Sequence, residues 1–182
     1  RFNEIKRIEI LPKVINKVDS NLDIIHIGDY RENLKYFKKI MSYYQSKKVY
    51  YDFQNISETS KEQRVFFPGY LDIQKVNELI KKYQNNIFIQ MSYSEGQSNS
   101  ILESMARGSI CLVSEGCNMD NANKKNALKI TDEKNLANDI NRLFNEQNLQ
   151  KLIKKNQIIY LKENHSSEKI AKEFDIAISR FL

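Results

Sequence analysis

Apolar residues along the chain fall into two alternating patterns. Short, nearly continuous apolar runs occur at residues 24–27, 48–53, 65–67, 87–91 and 110–113, and each is too short for anything but a strand. Between them the apolar positions recur at helical spacing. Residues 5–18 place Ile8, Leu11, Ile15 and Val18 on one face, with Pro12 expected to bend or split the helix. Residues 31–45 do the same with Leu34, Phe37, Ile40 and Met41. From an Asp72 N-cap to Tyr83 the inward set is Val76, Leu79 and Ile80. A helix carrying Ile101, Leu102, Met105 and Ala106 closes at Gly108. Helices over 133–144 (capped by Thr131 or Asp132), 149–161 and 168–182 (capped by Ser166 or Ser167) complete the set. Residues 127–130 read as a short edge strand, 55–63 as a polar loop or helical turn, and 114–126, polar with Gly116 and several Asn, as a functional or mobile loop. Strands alternating with helices predict an α/β fold with a doubly wound parallel sheet, here as one domain over residues 1–182.

Composition narrows the picture. The chain has 182 residues, and no apolar run approaches the ~18 residues of a membrane span. No signal peptide is visible. The sequence starts at Arg1, and the expectation is that it begins inside a fold. Cys111 and Cys117 form no CxxC, and Cys111 sits in an apolar strand as a small buried hydrophobe. Two histidines, His26 and His165, give no metal-ligand spacing. The net charge of +6 suits an anionic partner, but the lysines come as scattered doublets and no nucleic-acid motif accompanies them.

Residues 92–108, reading SYSEGQSNSILESMARG, carry more chemistry than the rest. A strand leads into a polar loop and a helix start, which is where open α/β sheets bind ligands. Gly96 permits positive φ and close approach of a ligand. Gln97, Ser98, Asn99 and Ser100 bring small polar side chains and backbone N–H groups to a helix N-terminus, which attracts phosphate. Glu103, about a turn into the helix, can accept hydrogen bonds from a diol such as a ribose. Glu95, at the strand end, can meet a sugar beyond a diphosphate. Arg1 and Lys6 are two cations that could hold that diphosphate. Gly28 and Asp29, after another strand, are a weaker candidate.

These residues, in this order, resemble the retaining GT-B glycosyltransferases of family 4 (glycosyl transferases group 1). There an S-x-x-E-G segment is followed by a second Glu eight residues after the first. RFNEIKR resembles the family's G-R-x-x-x-x-K-G segment, IIHIGD its strand end, VFFPGYL its V-x-F-x-G, and DEKNLANDINRLF the segment closing the nucleotide domain. Arg7 stands where the pattern has the Gly after Lys, and Tyr30 where it has the last Gly of G-D-G.

The resemblance implies the Rossmann-like C-terminal, donor-binding half of a GT-B enzyme, its N-terminal acceptor domain lying outside this chain. Arg1 and Lys6 would hold the donor diphosphate and Glu103 the ribose. Glu95 would act beside the reacting carbon, and the backbone of Gly96, Gln97, Ser98 and Asn99 would hold sugar and phosphate. Gly28 would approach the donor, and Tyr70 would lie near the base. The implied reaction moves a sugar from a nucleotide-diphosphate sugar to a hydroxyl with retention, using no cofactor and no metal. A cytoplasmic enzyme at the inner face of the cell membrane, making cell-surface polysaccharide or glycolipid on a lipid-linked or polysaccharide acceptor, is the expected setting; no nucleic acid is involved. A nucleotide-sugar epimerase-type domain, a non-catalytic nucleotide-sugar module and a phosphoacceptor domain are the alternatives.

Overall fold

The computed structural model describes residues 2–19, 22–52, 63–83, 85–96 and 98–178, with side chains to residue 172. The strands are β1 (Asp23–Ile27), β2 (Lys48–Tyr50), β3 (Arg64–Gly69), β4 (Ile87–Gln90), β5 (Ile110–Val113) and β6 (Lys129–Ile130). The α-helices are α1 (Ile10–Val14), α2 (Leu34–Ser42), α3 (Ile73–Lys82), α4 (Asn99–Ala106), α5 (Asp120–Lys124), α6 (Leu136–Asn145), α7 (Gln147–His165) and α8 (Ser167–Ile178).

Every strand pairing among the described residues is parallel, and helices cover both faces. Hydrogen bonding divides the strands into two three-stranded sheets, β1-β3-β2 and β4-β5-β6. The central strands β3 and β5 are buried on both sides, which is why they read as unbroken apolar runs. Residues on β3 alternate between two cores. Val65 and Phe67 join Phe37, Ile40 and Tyr44 on one side, and Phe66 joins Leu71 and Leu79 on the other. Likewise β5 sends Ile110 and Leu112 toward α1 and α6, and Cys111 and Val113 toward α4, α5 and α7. Between β1 and β4 lies an apolar cleft of about 390 Å³, lined in part by Leu11, Ile15, Ile25, Ile89 and Phe144. Side chains from the N-terminal segment and α6 thus line the join between the two sheets.

Two elements differ from expectation. The helix predicted over 5–18 is broken. A single 3-10 turn, Glu4–Lys6, ends at Arg7 in the left-handed conformation (φ 50°), and α1 starts only at Ile10. Pro12 lies in the first turn of α1, where its missing N–H costs nothing. The loop predicted over 114–126 holds a 3-10 turn, Glu115–Cys117, and the short helix α5. Buried Cys117, Met119 and Ala122 anchor it, too few among the Asn and Lys to give a periodic signal. Asn118 and Asn126, both at φ 54°, make its left-handed corners, which asparagine tolerates. Residues 55–62 and 179–182, assigned above to a loop and to the end of the last helix, lie outside the described residues. Asp72 does cap α3, its carboxylate accepting from the Lys75 N–H at 2.9 Å.

Candidate functional site

The carboxyl ends of β1, β3 and β4 meet the N-terminal segment. That segment is held to the loop after β4 by backbone and side chain alike. The Tyr93 N–H donates to the Ile5 carbonyl at 2.9 Å. The Arg7 guanidinium lies over the Tyr93 ring at 4.4 Å. Lys6 Nζ reaches Glu95 Oε1 at 2.5 Å. Lys6 and Glu95, 89 positions apart in the chain, are therefore brought together. Burial raises the Glu95 carboxyl, but hydrogen bonds from Lys6, Ser92 and Gln90 outweigh it and hold the group below its ordinary value. Glu95 is ionised at neutral pH.

A second loop presses on the first from behind. The Glu95 N–H donates to the Gly116 carbonyl at 2.8 Å. The Ser114 hydroxyl donates to the Ser92 carbonyl at 2.6 Å. The approach at Gly116 is so close that an added Cβ would lie 2.1 Å from the Tyr93 carbonyl oxygen. Ser114 and Gln90 were not singled out from the sequence, and Gly116 was read only as part of the polar loop over 114–126. Gly116 carried a signal, as a lone Gly just past a strand.

Beneath the loop, Gln90 is 8% exposed. Its Oε1 accepts from the Ser98 hydroxyl at 3.1 Å and from the Ser100 hydroxyl at 2.9 Å. Its Nε2 donates to the Ser92 hydroxyl at 3.3 Å. Ser98 occupies the N-cap position of α4 yet makes no side-chain cap bond. The Ile101 N–H donates to the Ser98 carbonyl at 3.1 Å, so the amides left to other acceptors at the start of α4 are those of Asn99 and Ser100.

The remaining candidates are spread around this centre. Glu103 is on the exposed face of α4, about 6 Å along the axis from Asn99. It pairs with Arg107 at 3.3 Å, and Arg107 in turn donates to Asn77 Oδ1 of α3 at 2.6 Å. Gly28 adopts φ 140° and donates its N–H to the Gly69 carbonyl at 2.9 Å, joining the ends of β1 and β3. Tyr70, one residue on, is 78% exposed. Asn99, the first residue of α4, is exposed. Gly96 is not in the left-handed region expected for it, but the space beside its Cα is open. Arg1 and Gln97 lie outside the described residues.

Three other groups settle into structural roles. Asp29 accepts from the Arg31 N–H and pairs with the Arg31 guanidinium at 2.9 Å, capping the turn after β1. Tyr30 stacks on Phe37 at 4.5 Å rather than projecting free over Gly28. His26 is buried, stacked on Phe67 at 4.7 Å and bonded to the Tyr44 hydroxyl at 2.8 Å; burial lowers its pKa to about 4, so it is neutral. Among the described residues no three His, Cys, Asp or Glu side chains gather to hold a metal ion. No described helix is long and apolar enough to cross a membrane.

Fold and site together describe a parallel α/β domain with a cation, a carboxylate and a free helix start at its carboxyl strand ends. The chain belongs to the glycosyl transferases group 1 family, whose model matches residues 1–159. Its structure is similar to sucrose-phosphate synthase from Thermosynechococcus elongatus, with a TM-score of 0.71 and 19% identity over 100% of this chain and 43% of that one. It is also similar to the C-terminal domain of a glycosyl transferase group 1 family protein (LpcC) from Francisella tularensis. There the TM-score is 0.64 and the identity 14%, over 91% of this chain and 82% of that one. At such identities the likeness is one of fold, that of the C-terminal domain of GT-B glycosyltransferases. None of the curated proteins matches. The chain spans less than half the length of the sucrose-phosphate synthase it matches.

Proposed function

We propose that this chain, over residues 1–182, is the donor-binding domain of a retaining glycosyltransferase of family 4. Together with an N-terminal acceptor domain, it would move a sugar from a nucleotide-diphosphate sugar to a hydroxyl. The observation that carries the reading is the Lys6–Glu95 pair at 2.5 Å, set beside the uncapped start of α4. As the sugar–phosphate bond breaks, negative charge grows on the diphosphate. A fixed ammonium and oriented N–H groups aimed at it lower the barrier. Lys6, with Arg1, supplies the charge, and the amides of Gly96, Gln97, Ser98 and Asn99 supply the donors. The donor diphosphate competes with Glu95 for Lys6, which frees the Glu95 carboxylate to act beside the anomeric carbon. Glu103 takes the ribose hydroxyls, Tyr70 flanks the base, and the open space beside Gly96 admits the sugar. The step uses no metal. The setting proposed is synthesis of cell-surface polysaccharide or glycolipid by a cytoplasmic enzyme seated on an anionic membrane face, to which the +6 charge would contribute.

The test is protection by donor fragments. A nucleoside diphosphate or nucleotide sugar at ~100 times its dissociation constant adds about 2.7 kcal/mol, or roughly 5–10 °C in melting temperature. The Glu103→Ala variant should lose most of that gain. Protection by no member of a uridine, guanosine and adenosine diphosphate panel, or equal protection of the variant, overturns the reading.

A further inference from the structure

Gln90 is the buried polar side chain on which both halves of the site converge. Its carbonyl oxygen accepts from Ser98 and Ser100, and its amide donates to Ser92. The orientation is dictated by chemistry. The amide end can only donate and faces the Ser92 oxygen, while the oxygen end accepts from the hydroxyls of Ser98 and Ser100.

The consequence concerns α4. Serine is among the best N-cap residues because its hydroxyl accepts from the second or third amide of the helix. Ser98 stands at that position with backbone angles suited to capping (φ −80°, ψ 105°), yet its hydroxyl is turned to Gln90 and caps nothing. Ser100 is held the same way. We propose that Gln90 is a positioning residue that restrains the Ser98 hydroxyl from capping α4, keeping the Asn99 and Ser100 amides at the helix start open for the donor phosphate. This rests on the donor-site reading above. The Gln90 side chain touches no reacting atom; it acts through the serines. The sequence gives no sign of it, because a Gln closing an apolar strand looks like a strand end turning polar.

Methionine has the length and shape of glutamine without its hydrogen bonds. In Gln90→Met the Ser98 hydroxyl keeps only its 2.9 Å contact with the Ser100 hydroxyl, and it rotates to accept from an amide at the start of α4 that the phosphate needs. Uridine, guanosine and adenosine diphosphates are titrated against the protein carrying this chain, and the tightest binder is then measured on each variant. Gln90→Met is expected to bind about fivefold more weakly, the size of one helix cap. The double variant Gln90→Met/Ser98→Ala, which has no hydroxyl to cap with, should recover most of the loss. Melting temperatures without nucleotide confirm that both variants fold. A purely structural role would not produce rescue by a second truncation. Affinity in Gln90→Met equal to wild type, or a double variant as weak as the single one, overturns the proposal. Lys6→Met separates the two levels of inference. If wild type binds, Lys6→Met does not, and Gln90→Met binds as wild type, only the role of Gln90 falls. If wild type binds no nucleoside diphosphate, the donor reading falls and takes this proposal with it.

Discussion

Replacing Gly116 by alanine puts a methyl group where backbone already stands. Its Cβ would lie 2.1 Å from the Tyr93 carbonyl oxygen, 2.5 Å from that carbonyl carbon and 2.6 Å from the Ser92 carbonyl oxygen. Comfortable non-bonded separations are about 3.5 Å, so something must move by roughly 1–1.5 Å. The obstacles are peptide atoms, not the tips of side chains, and no rotamer change relieves them. Either the strain stays, at about 1–3 kcal/mol, or the two loops part. Parting sacrifices the Glu95 N–H bond to the Gly116 carbonyl (2.8 Å) and the Ser114 hydroxyl bond to the Ser92 carbonyl (2.6 Å). Each such bond is worth about 1 kcal/mol net, and more when a buried group is left unpaired. The two routes together bracket a destabilisation of about 1–4 kcal/mol, read by urea unfolding. The matching fall in melting temperature is roughly 2–16 °C. Because Glu95 is carried on the displaced loop, affinity for a nucleoside diphosphate should fall in the same variant. A Gly116→Ala protein within about 0.5 kcal/mol of wild type, with unchanged m-value, would refute the packing argument.

Three further outcomes are expected. Lys6→Met should remove a stability increment that is complete above the ordinary glutamate range and lost as pH falls through the depressed Glu95 pKa. Melting curves of wild type and variant should therefore converge in acid, and a gap that persists there counts against the ion pair. His26 has its pKa lowered to about 4 by burial, so the unfolded chain binds its proton first on acidification. Stability should decline between about pH 6.5 and 4, by at most about 3 kcal/mol, and urea titrations of His26→Phe should show that segment flattened. Arg7→Gly should relieve the left-handed backbone at φ 50° while losing the Glu133 pair at 3.2 Å and the Tyr93 ring contact. Arg7→Ala loses both contacts and keeps the strain, so the glycine variant should be the more stable by about 1 kcal/mol in chemical denaturation; equal stabilities would argue against strain at this position.

The parallel α/β pattern was legible because β3 and β5 are buried on both faces, leaving apolar runs no helix would keep so short. What escaped was set by single residues in unusual backbone or by contacts far apart in the chain. Arg7 looks like an ordinary helix residue between Lys6 and Ile8, and only its φ shows that the helix stops there. In α5 too few apolar positions exist to reveal a period. Of the candidate site, Lys6 and Glu95 could be named but not paired, since nothing local relates positions 89 apart. Gln90 and Gly116 act through what they lie beneath or let approach, and a sequence does not display that. The join between the two sheets was equally hidden, because the Leu11 and Phe144 side chains that line it belong to helices of unremarkable pattern.

The N-terminal segment explains why that join and the site go together. Phe2 is buried in the core of the first sheet, while Ile10 and Val14 are buried in the core of the second. Ile8 packs on the first core and Ile15 is buried in it, so the segment runs along the join and touches both sheets, and near its start lie three ties to the loop after β4. One tie is the Ile5 carbonyl, another the Arg7 guanidinium and the third the Lys6 ammonium. Side chains of Lys6 and Glu95 are 31% and 18% exposed, a setting in which an ion pair adds little to stability. The backbone bond and the buried anchors already fix the segment. A pair that contributes so little to the fold, built from two charges that the donor diphosphate would rearrange, is better explained by what it holds ready than by what it holds together. On that argument Lys6→Met should cost far more in diphosphate affinity than in melting temperature.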